Sequence, residues 1–361
     1  MDDEGKLRQI RDRIDALDDG ILDLISERAG LAQEVARIKL AENPDTHFYR
    51  PEREAAILRR IKERNSGPLD DEEVARLFRE IMSACLALEK PLDIAFLGPE
   101  GTFTQAAALK HFGHSVLTTP LAAIPDVFRE VEAGSCDYGV VPVENSSEGV
   151  VSHTLDMFLN SPLKICGEVV LRIHHNLLGQ GGDWHKARVI HGHQQSLGQC
   201  RRWLDENLPQ AEREPVGSNA EAARIARDNP DVVAIASSEA ALRYGLDVLA
   251  ANIEDEPGNT TRFLIIGSQD AAPGGNDKTS LLLSTRNVAG GLHRLLAPLA
   301  NHGISMTRIE SRPSRRGIWD YVFFVDVLGH QQDPGMSDAL DALRGEALVC
   351  KVLGSYPRAV L

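Results

Sequence analysis

From Leu7 to Lys90 glycine is scarce and the apolar residues recur at helical spacing. Ile10, Ile14, Leu17, Ile21, Leu24, Ile25, Leu31, Val35 and Ile38 are separated mostly by three, four or their multiples. That pattern predicts one long helix of period 3.6. Gly20 within it costs roughly 1 kcal/mol, tolerable over so many turns. Asn43-Pro44 is expected to end the helix. Pro51 suits the first turn of a second helix running to about Asn65. Ser66-Gly67-Pro68 breaks the chain again, and a third helix follows from about Asp70 to Lys90. A first helix of some 35 residues spans roughly 50 Å at 1.5 Å per residue. Two shorter helices cannot cover it, so it is expected to pair with a second copy in an intertwined homodimer.

After Pro91 the texture becomes α/β. Apolar runs (DIAFLG, YGVVPVE, KICGEVVLRI, ARVIHG, VVAIAS, TRFLIIG) alternate with helical stretches (TQAAALKHF, QSLGQCRRWLDEN, NAEAARIARD). Two such runs of alternation predict two lobes with a cleft between them. DAAPGGND (270–277) reads as a linker. The last 85 or so residues begin again with a strand, TSLLLS, and continue helix, strand, strand, helix, strand. That βαββαβ order is ferredoxin-like, α+β. The expected architecture is therefore multidomain: all-α over 1–91, two-lobed α/β over 92–270, and α+β over 277–361. At about 100–200 residues per domain, 361 residues suffice for this.

Composition narrows the function classes. A hydrophobic fraction of 42% and a charged fraction of 25% are those of an ordinary globular chain. The net charge of −14 opposes general nucleic-acid binding, which needs a basic surface. No apolar run suits a membrane span, and the acidic start MDDEGKLRQI does not resemble a secretory signal. The five cysteines are dispersed without a CxxC pair, which points to a reduced, cytoplasmic protein. His174, His175, His191 and His193 lack Cys or carboxylate partners at ligand spacing, so no metal is expected. The glycines of GQGGDW (179–184) do not form a dinucleotide fingerprint, and no cofactor is expected.

Candidate chemistry begins on the first helix. Arg28 and Lys39 are eleven residues apart, three turns to within about 20°, so both project from one face about 16 Å apart. Two long cations on one stripe can flank a small dianion. Arg11 lies about 100° around the helix and some 25 Å away, so only a dimer partner's Arg11 suits the same pocket. The segments LRQIRDRIDALDDGILDLISERAGLAQEVARIK, YRPERE and LFREIMSACLALE together resemble the all-helical chorismate mutase family. That resemblance implies the Claisen rearrangement of chorismate to prephenate. It implies that Arg28 and a partner's Arg11 bind the carboxylates, Lys39 a carboxylate and the ether oxygen, and Glu52 the ring hydroxyl. Where some members carry Gln as second donor to the ether oxygen, this chain has Glu89, which must be protonated to help.

In the middle segment GPEGTFTQ (98–105), VPVENSSEG (141–149), ASSEAA (236–241) and GNTTRFLIIG (258–267) place hydroxyls and amides at strand ends or helix starts. Clefts between α/β lobes bind small anions at such ends. With HQQSLGQC, these strings resemble the prephenate dehydratase family, in family order. The resemblance implies a site of Asn145, Gln195 and Thr261, with Thr102, Ser146, Ser147 and Arg262 as neighbours. Prephenate then loses hydroxyl and carboxylate in one aromatising step, with Thr261 as the proton or hydrogen-bond donor to the departing hydroxyl and no metal or pyridoxal group required.

The C-terminal segment resembles an ACT domain, an amino-acid-binding module. ESRPS (310–314) matches the family's Glu-Ser-Arg-Pro motif, and Gly290, Gly291 and Leu292 stand at its glycine-rich helix start. Gly290, Gly291, Leu292, Glu310, Ser311 and Arg312 are thereby the implied allosteric residues. The three resemblances in this order imply a bifunctional enzyme of phenylalanine biosynthesis, inhibited by phenylalanine. Two alternatives stand beside it: a dehydratase that uses arogenate, and a non-catalytic amino-acid sensor.

Overall fold

The computed structural model describes residues 3–43, 48–313 and 321–360, so Pro44 and Ser314 lie outside the described residues. The N-terminal module is three helices: α1 (Asp3–Glu42), α2 (Pro51–Arg64) and α3 (Asp71–Glu89). Pro51 occupies the first turn of α2, where a backbone N–H has no helical partner anyway. α2 and α3 pack through Leu58, Ala75 and Met82. α1 lies against α3 but buries only Ala36. Leu7, Ile10, Ile14, Leu17, Ile21 and Leu24 are left between 50% and 67% exposed.

Along the middle module come β1 (Asp93–Leu97), α4 (Phe103–Phe112), β2 (Leu117–Leu121), α5 (Ile124–Glu132), β3 (Tyr138–Asn145), β4 (Gly149–Val150), α6 (Ser152–Phe158) and β5 (Lys164–Arg172). These form the first lobe. The second holds β6 (Asn176–Gly179), β7 (Val189–His193), α7 (Gln194–Gln199), α8 (Arg201–Asn207), β8 (Glu212–Val216), α9 (Asn219–Asp228), β9 (Val232–Ala236), α10 (Ser238–Tyr244) and β10 (Asp247–Ala250). The chain then returns: β11 (Thr260–Gly267) inserts antiparallel between β3 and β5. The first sheet runs β2-β1-β3-β11-β5 with β4 on β3, and the second β10-β6-β9-β7-β8. The lobes are thus joined by two crossing segments, 173–175 and 251–259, rather than placed one after the other along the chain.

QSLGQCRRWLDEN is two helices, not the single one its pattern predicts. The break is at buried Cys200, and the Asp255 carboxylate accepts from the backbone N–H groups of Arg202 (2.8 Å) and Trp203 (3.0 Å) at the start of α8. DAAPGGND is also firmer than its composition predicts. Ala271 is buried, the Gly274 carbonyl accepts from Arg59 Nη2 at 2.6 Å, and Asp277 accepts from the Gly274 and Gly275 N–H groups.

The C-terminal module is β12 (Asp277–Ser284), α11 (Gly291–Asn301), β13 (Met306–Pro313), β14 (Tyr321–Leu328), α12 (Pro334–Glu346) and β15 (Val349–Pro357). Its antiparallel sheet has the order β13-β14-β12-β15. α11 and α12 cover one face over Leu281, Leu283, Val325 and Val327. The other face buries Leu282, Phe324, Leu353 and Tyr356 in the core of the first lobe. Both faces being covered explains the continuous apolar run of β12. β15 lies so close to β5 that a Cβ at Gly354 would sit 2.1 Å from the Ile165 carbonyl oxygen. The helical module is fastened to the same lobe by Tyr49, which is buried against Phe112 and Tyr138 and bonds His111 Nε2 at 2.7 Å.

Candidate functional sites

The three-helix module holds an open cavity of ≈ 680 Å³ between α1, α2 and α3. Arg28 and Lys39 line it from α1, with Glu52 from α2 and Glu89 from α3. Leu31, Val35, Ile57, Met82 and Leu86 supply an apolar wall. The expected face of α1 is therefore the one that looks inward. Lys39 Nζ also lies 5.5 Å from the centre of the Phe48 ring. Burial raises the Glu89 carboxyl above its usual range, against the opposing charges of Lys39 and Arg28. Arg50, Arg53 and Glu54 line the cavity too, and the sequence reading did not single them out. Glu54 is a buried carboxylate paired with Arg79; burial raises its pKa while Arg79 and then Arg28 lower it. Arg11 does not line the cavity of its own chain and is exposed.

Between the lobes lies a cleft of ≈ 460 Å³. Thr102, Asn145, Gln195 and Thr261 all face it, from four different elements or their ends. The bulged pairing of β11 with β3 sets Thr261 opposite Asn145. Asn145 Nδ2 donates to Thr261 Oγ1 and to Asn259 Oδ1, both at 2.8 Å. Asn145 Oδ1 accepts from the backbone N–H groups of Ser147 (2.9 Å) and Glu148 (3.1 Å). The Thr102 hydroxyl is already committed, accepting from Gln105 N and donating to the Leu97 carbonyl.

Three expected neighbours stand elsewhere. Ser146 and Ser147 sit in the turn after β3, outside the cleft wall; Ser146 Oγ accepts from Thr260 N at 2.9 Å and so braces that turn. Arg262 points the other way. Successive residues of a strand face opposite sides of the sheet, so Arg262 meets the C-terminal module while Thr261 meets the cleft. Its guanidinium bonds Glu168 (2.8 Å), Asp326 (2.6 Å) and the Tyr356 hydroxyl (3.0 Å). Burial would lower the Arg262 pKa, but Tyr356, Asp326 and Glu168 outweigh it and the net direction is up.

In the C-terminal module Gly290, Gly291 and Leu292 line a pocket of ≈ 210 Å³ with Thr285, Tyr321 and Phe323. Gly290 has φ 74°, a left-handed turn that favours glycine. Glu310, Ser311 and Arg312 are not in that pocket; they lie on the edge strand β13. Arg312 is turned to the first lobe, where it bonds Asp156 at 2.9 Å and the Ser152 hydroxyl.

The chorismate mutase type II family profile matches residues 10–90, prephenate dehydratase residues 94–271, and the ACT domain residues 279–345. A bifunctional chorismate mutase/prephenate dehydratase of Stutzerimonas stutzeri is 59% identical over 365 residues, covering 100% of both chains. The chain belongs to the bifunctional chorismate mutase/prephenate dehydratases. Among solved structures, a prephenate dehydratase from Arthrobacter aurescens in complex with L-Phe is 34% identical at a TM-score of 0.68. It covers 74% of this chain and 90% of its own. GqqA, described as a novel type of quorum quenching acylase, is 32% identical at a TM-score of 0.69, covering 74% of this chain and 98% of its own.

Within the dehydratase module, sequence reasoning passed over Glu148, His175, Gln199 and Asn259, all in the cleft wall. Gln199 and Asn259 lay inside strings already singled out, and His175 had been weighed only as a metal ligand. Among the described residues no helix is long and apolar enough to cross a membrane. Arg262→Ala strips Asp326 of its cation and leaves Glu168 with Lys278 alone. Breaking such a buried pair is expected to cost on the order of 3–5 kcal/mol. A fall in the urea midpoint measures this, and an unchanged midpoint contradicts the placement.

Proposed function

We propose that the helical cavity performs the rearrangement of chorismate, that the inter-lobe cleft fragments the prephenate so formed, and that phenylalanine acts through the C-terminal module. The working units are residues 1–91, 92–270 and 277–361. The observation that carries the first step is that Arg28 and Lys39 of α1 and Glu89 at the end of α3 line one cavity. A pericyclic rearrangement needs no nucleophile and no proton transfer. The protein helps by holding the compact conformer and aiming donors at the ether oxygen as it turns negative. Arg28 holds a carboxylate, Lys39 a carboxylate and the ether oxygen, Glu52 the ring hydroxyl, and protonated Glu89 is the second donor to that oxygen.

The exposed apolar stripe of α1 supports a homodimer, in which the partner's α1 covers those side chains and supplies its Arg11. A contiguous apolar face of this kind seldom stays bare on a monomer. In the cleft, Thr261 donates to the departing hydroxyl while Asn145 holds the threonine oxygen as acceptor. Decarboxylation follows from aromatisation and asks little of the protein. The pocket at Gly290–Leu292 is the effector site; that a prephenate dehydratase of Arthrobacter aurescens was solved in complex with L-Phe supports phenylalanine as the effector. The five cysteines are all free, which supports a reducing, cytoplasmic setting.

Chorismate given to the full chain is expected to yield prephenate and then phenylpyruvate, with phenylalanine slowing the second step. Lys39→Ala lowers mutase kcat about 10²–10³-fold and leaves prephenate turnover intact. Thr261→Val accumulates prephenate, and Thr261→Ser does so far less. Loss of both steps in either variant contradicts two separate sites. Mutase activity depends on the protonated Glu89, so it falls as pH rises through that raised pKa. Glu89→Gln, which cannot ionise, flattens the profile; an unaltered profile in the variant removes Glu89 from the step.

A further inference from the structure

His175 lies in the first of the two segments that join the lobes, and it is 2% exposed. Its ring lies edge-on to Phe103 at 5.8 Å, and both side chains line the cleft. Nε2 is 2.7 Å from Gln199 Oε1. Nδ1 is buried and has no hydrogen-bond partner among the described residues. An imidazole nitrogen in that condition is either a stranded donor or a stranded acceptor, and the surrounding hydrogen bonds decide which.

The decision starts at two backbone amides, which can only donate. Ser147 N and Glu148 N both donate to one atom of Asn145, so that atom is Oδ1. The Asn145 amide nitrogen then spends its two protons on Asn259 Oδ1 and Thr261 Oγ1. Asn259 is left with its own Nδ2 facing Gln199, to which it donates at 3.2 Å. Gln199 Oε1 is therefore an acceptor, and His175 must donate to it from Nε2. A neutral imidazole carries one N–H, so Nδ1 is a bare lone pair.

The array ends with a donor, the Thr261 hydroxyl, and a buried acceptor, His175 Nδ1, on two residues that both line the cleft. At neutral pH prephenate has two carboxylates, a ketone and one hydroxyl. The ring hydroxyl is its single hydrogen-bond donor. We propose that His175 Nδ1 accepts the hydrogen bond of the prephenate ring hydroxyl, while Thr261 donates to the same oxygen. This rests on the dehydratase reading of the cleft. Together the two groups hold the leaving hydroxyl at both its proton and its lone pair. His175 forms no covalent bond and takes no proton; it orients the group that leaves.

Burial holds the imidazole below its ordinary pKa, with the Gln199 bond and Glu254 opposing and His174 assisting. The titratable groups around it are Glu254, which accepts from the His175 backbone N–H at 2.9 Å, the adjacent His174, and His193 and Glu148 in the cleft wall. The neutral ring is the binding form, so affinity for prephenate falls as pH drops through that lowered pKa.

Two substitutions in the full chain test this. His175→Gln keeps a donor for Gln199 and loses the Nδ1 acceptor, whereas His175→Asn keeps an acceptor close to the Nδ1 position. His175→Gln is expected to lower kcat/KM for prephenate about tenfold, the effect of one neutral hydrogen bond, mainly through KM. Its kcat/KM profile also loses the acid limb seen in wild type. His175→Asn recovers most of the affinity. Inhibition by phenylpyruvate, which lacks the ring hydroxyl, stays the same in all three and so reports that the cleft is folded in the variants. Equal losses in the two variants, or an acid limb that survives in His175→Gln, overturn the assignment while leaving the dehydratase reading in place. A wild-type chain that leaves prephenate unconsumed overturns both.

Discussion

The direction of the hydrogen bonds that run from Asn145 through Asn259 and Gln199 to His175 is set by the turn after β3, where the Ser147 and Glu148 amides converge on Asn145 Oδ1. Amide side chains can in principle be read either way round, and imidazole has two neutral tautomers. Here the choice is removed at one end and the consequence passes through Asn145, Asn259 and Gln199 to His175. These residues come from the β3 turn, both lobe-joining segments and α7. The array therefore exists only when the lobes are assembled, and its two ends belong to residues that line the cleft between them. A partly made buried network is costly, so the unmatched Nδ1 marks a place where a ligand completes what the protein leaves open.

The second constraint is the two-residue period of β11. It turns Thr261 into the cleft and Arg262 onto the Glu168–Asp326–Tyr356 cluster that joins the C-terminal sheet to the first lobe. Neighbouring residues thus serve the cleft wall and module docking from opposite faces of one strand. Arg308 with Glu144 (2.9 Å) and Arg312 with Asp156 add further ties near the same sheet. The C-terminal module reaches Thr261 through the hydrogen bonds of Arg262 to Asp326 and Tyr356 and a single peptide bond. The helical module uses a different physical device, a set of long cations held along apolar walls, and reaches the dehydratase lobe through Tyr49 rather than through its own cavity.

Much of this was legible from residue order. The long helix, its inward Arg28–Lys39 face and the βαββαβ tail follow from periodicity, because burial on one stripe or one sheet face writes itself into spacing. The family strings located Asn145, Gln195 and Thr261. What stayed hidden depends on contacts distant in the chain. β2, β8 and β10 are edge strands with polar or short runs, so no apolar alternation announces them. The break at Cys200 is made by Asp255, more than fifty residues on. Arg262 was misplaced because string neighbours need not be site neighbours on a strand. His175 looked like half of an unmatched metal pair until Gln199 and Asn259 were seen beside it.

The tautomer of His175 is the most direct test, since the polarity of the Asn145–Asn259–Gln199 array converges on it. Nitrogen NMR of the full chain with labelled histidine, assigned by comparison with His175→Gln, distinguishes protonated from bare ring nitrogens. At neutral pH the account predicts a proton on Nε2 and none on Nδ1, with the Nδ1 signal shifting when a hydroxyl-bearing substrate analogue binds. A ring protonated at Nδ1 contradicts it, because Gln199 would then have to be turned around, and the Asn259–Asn145–Thr261 order with it.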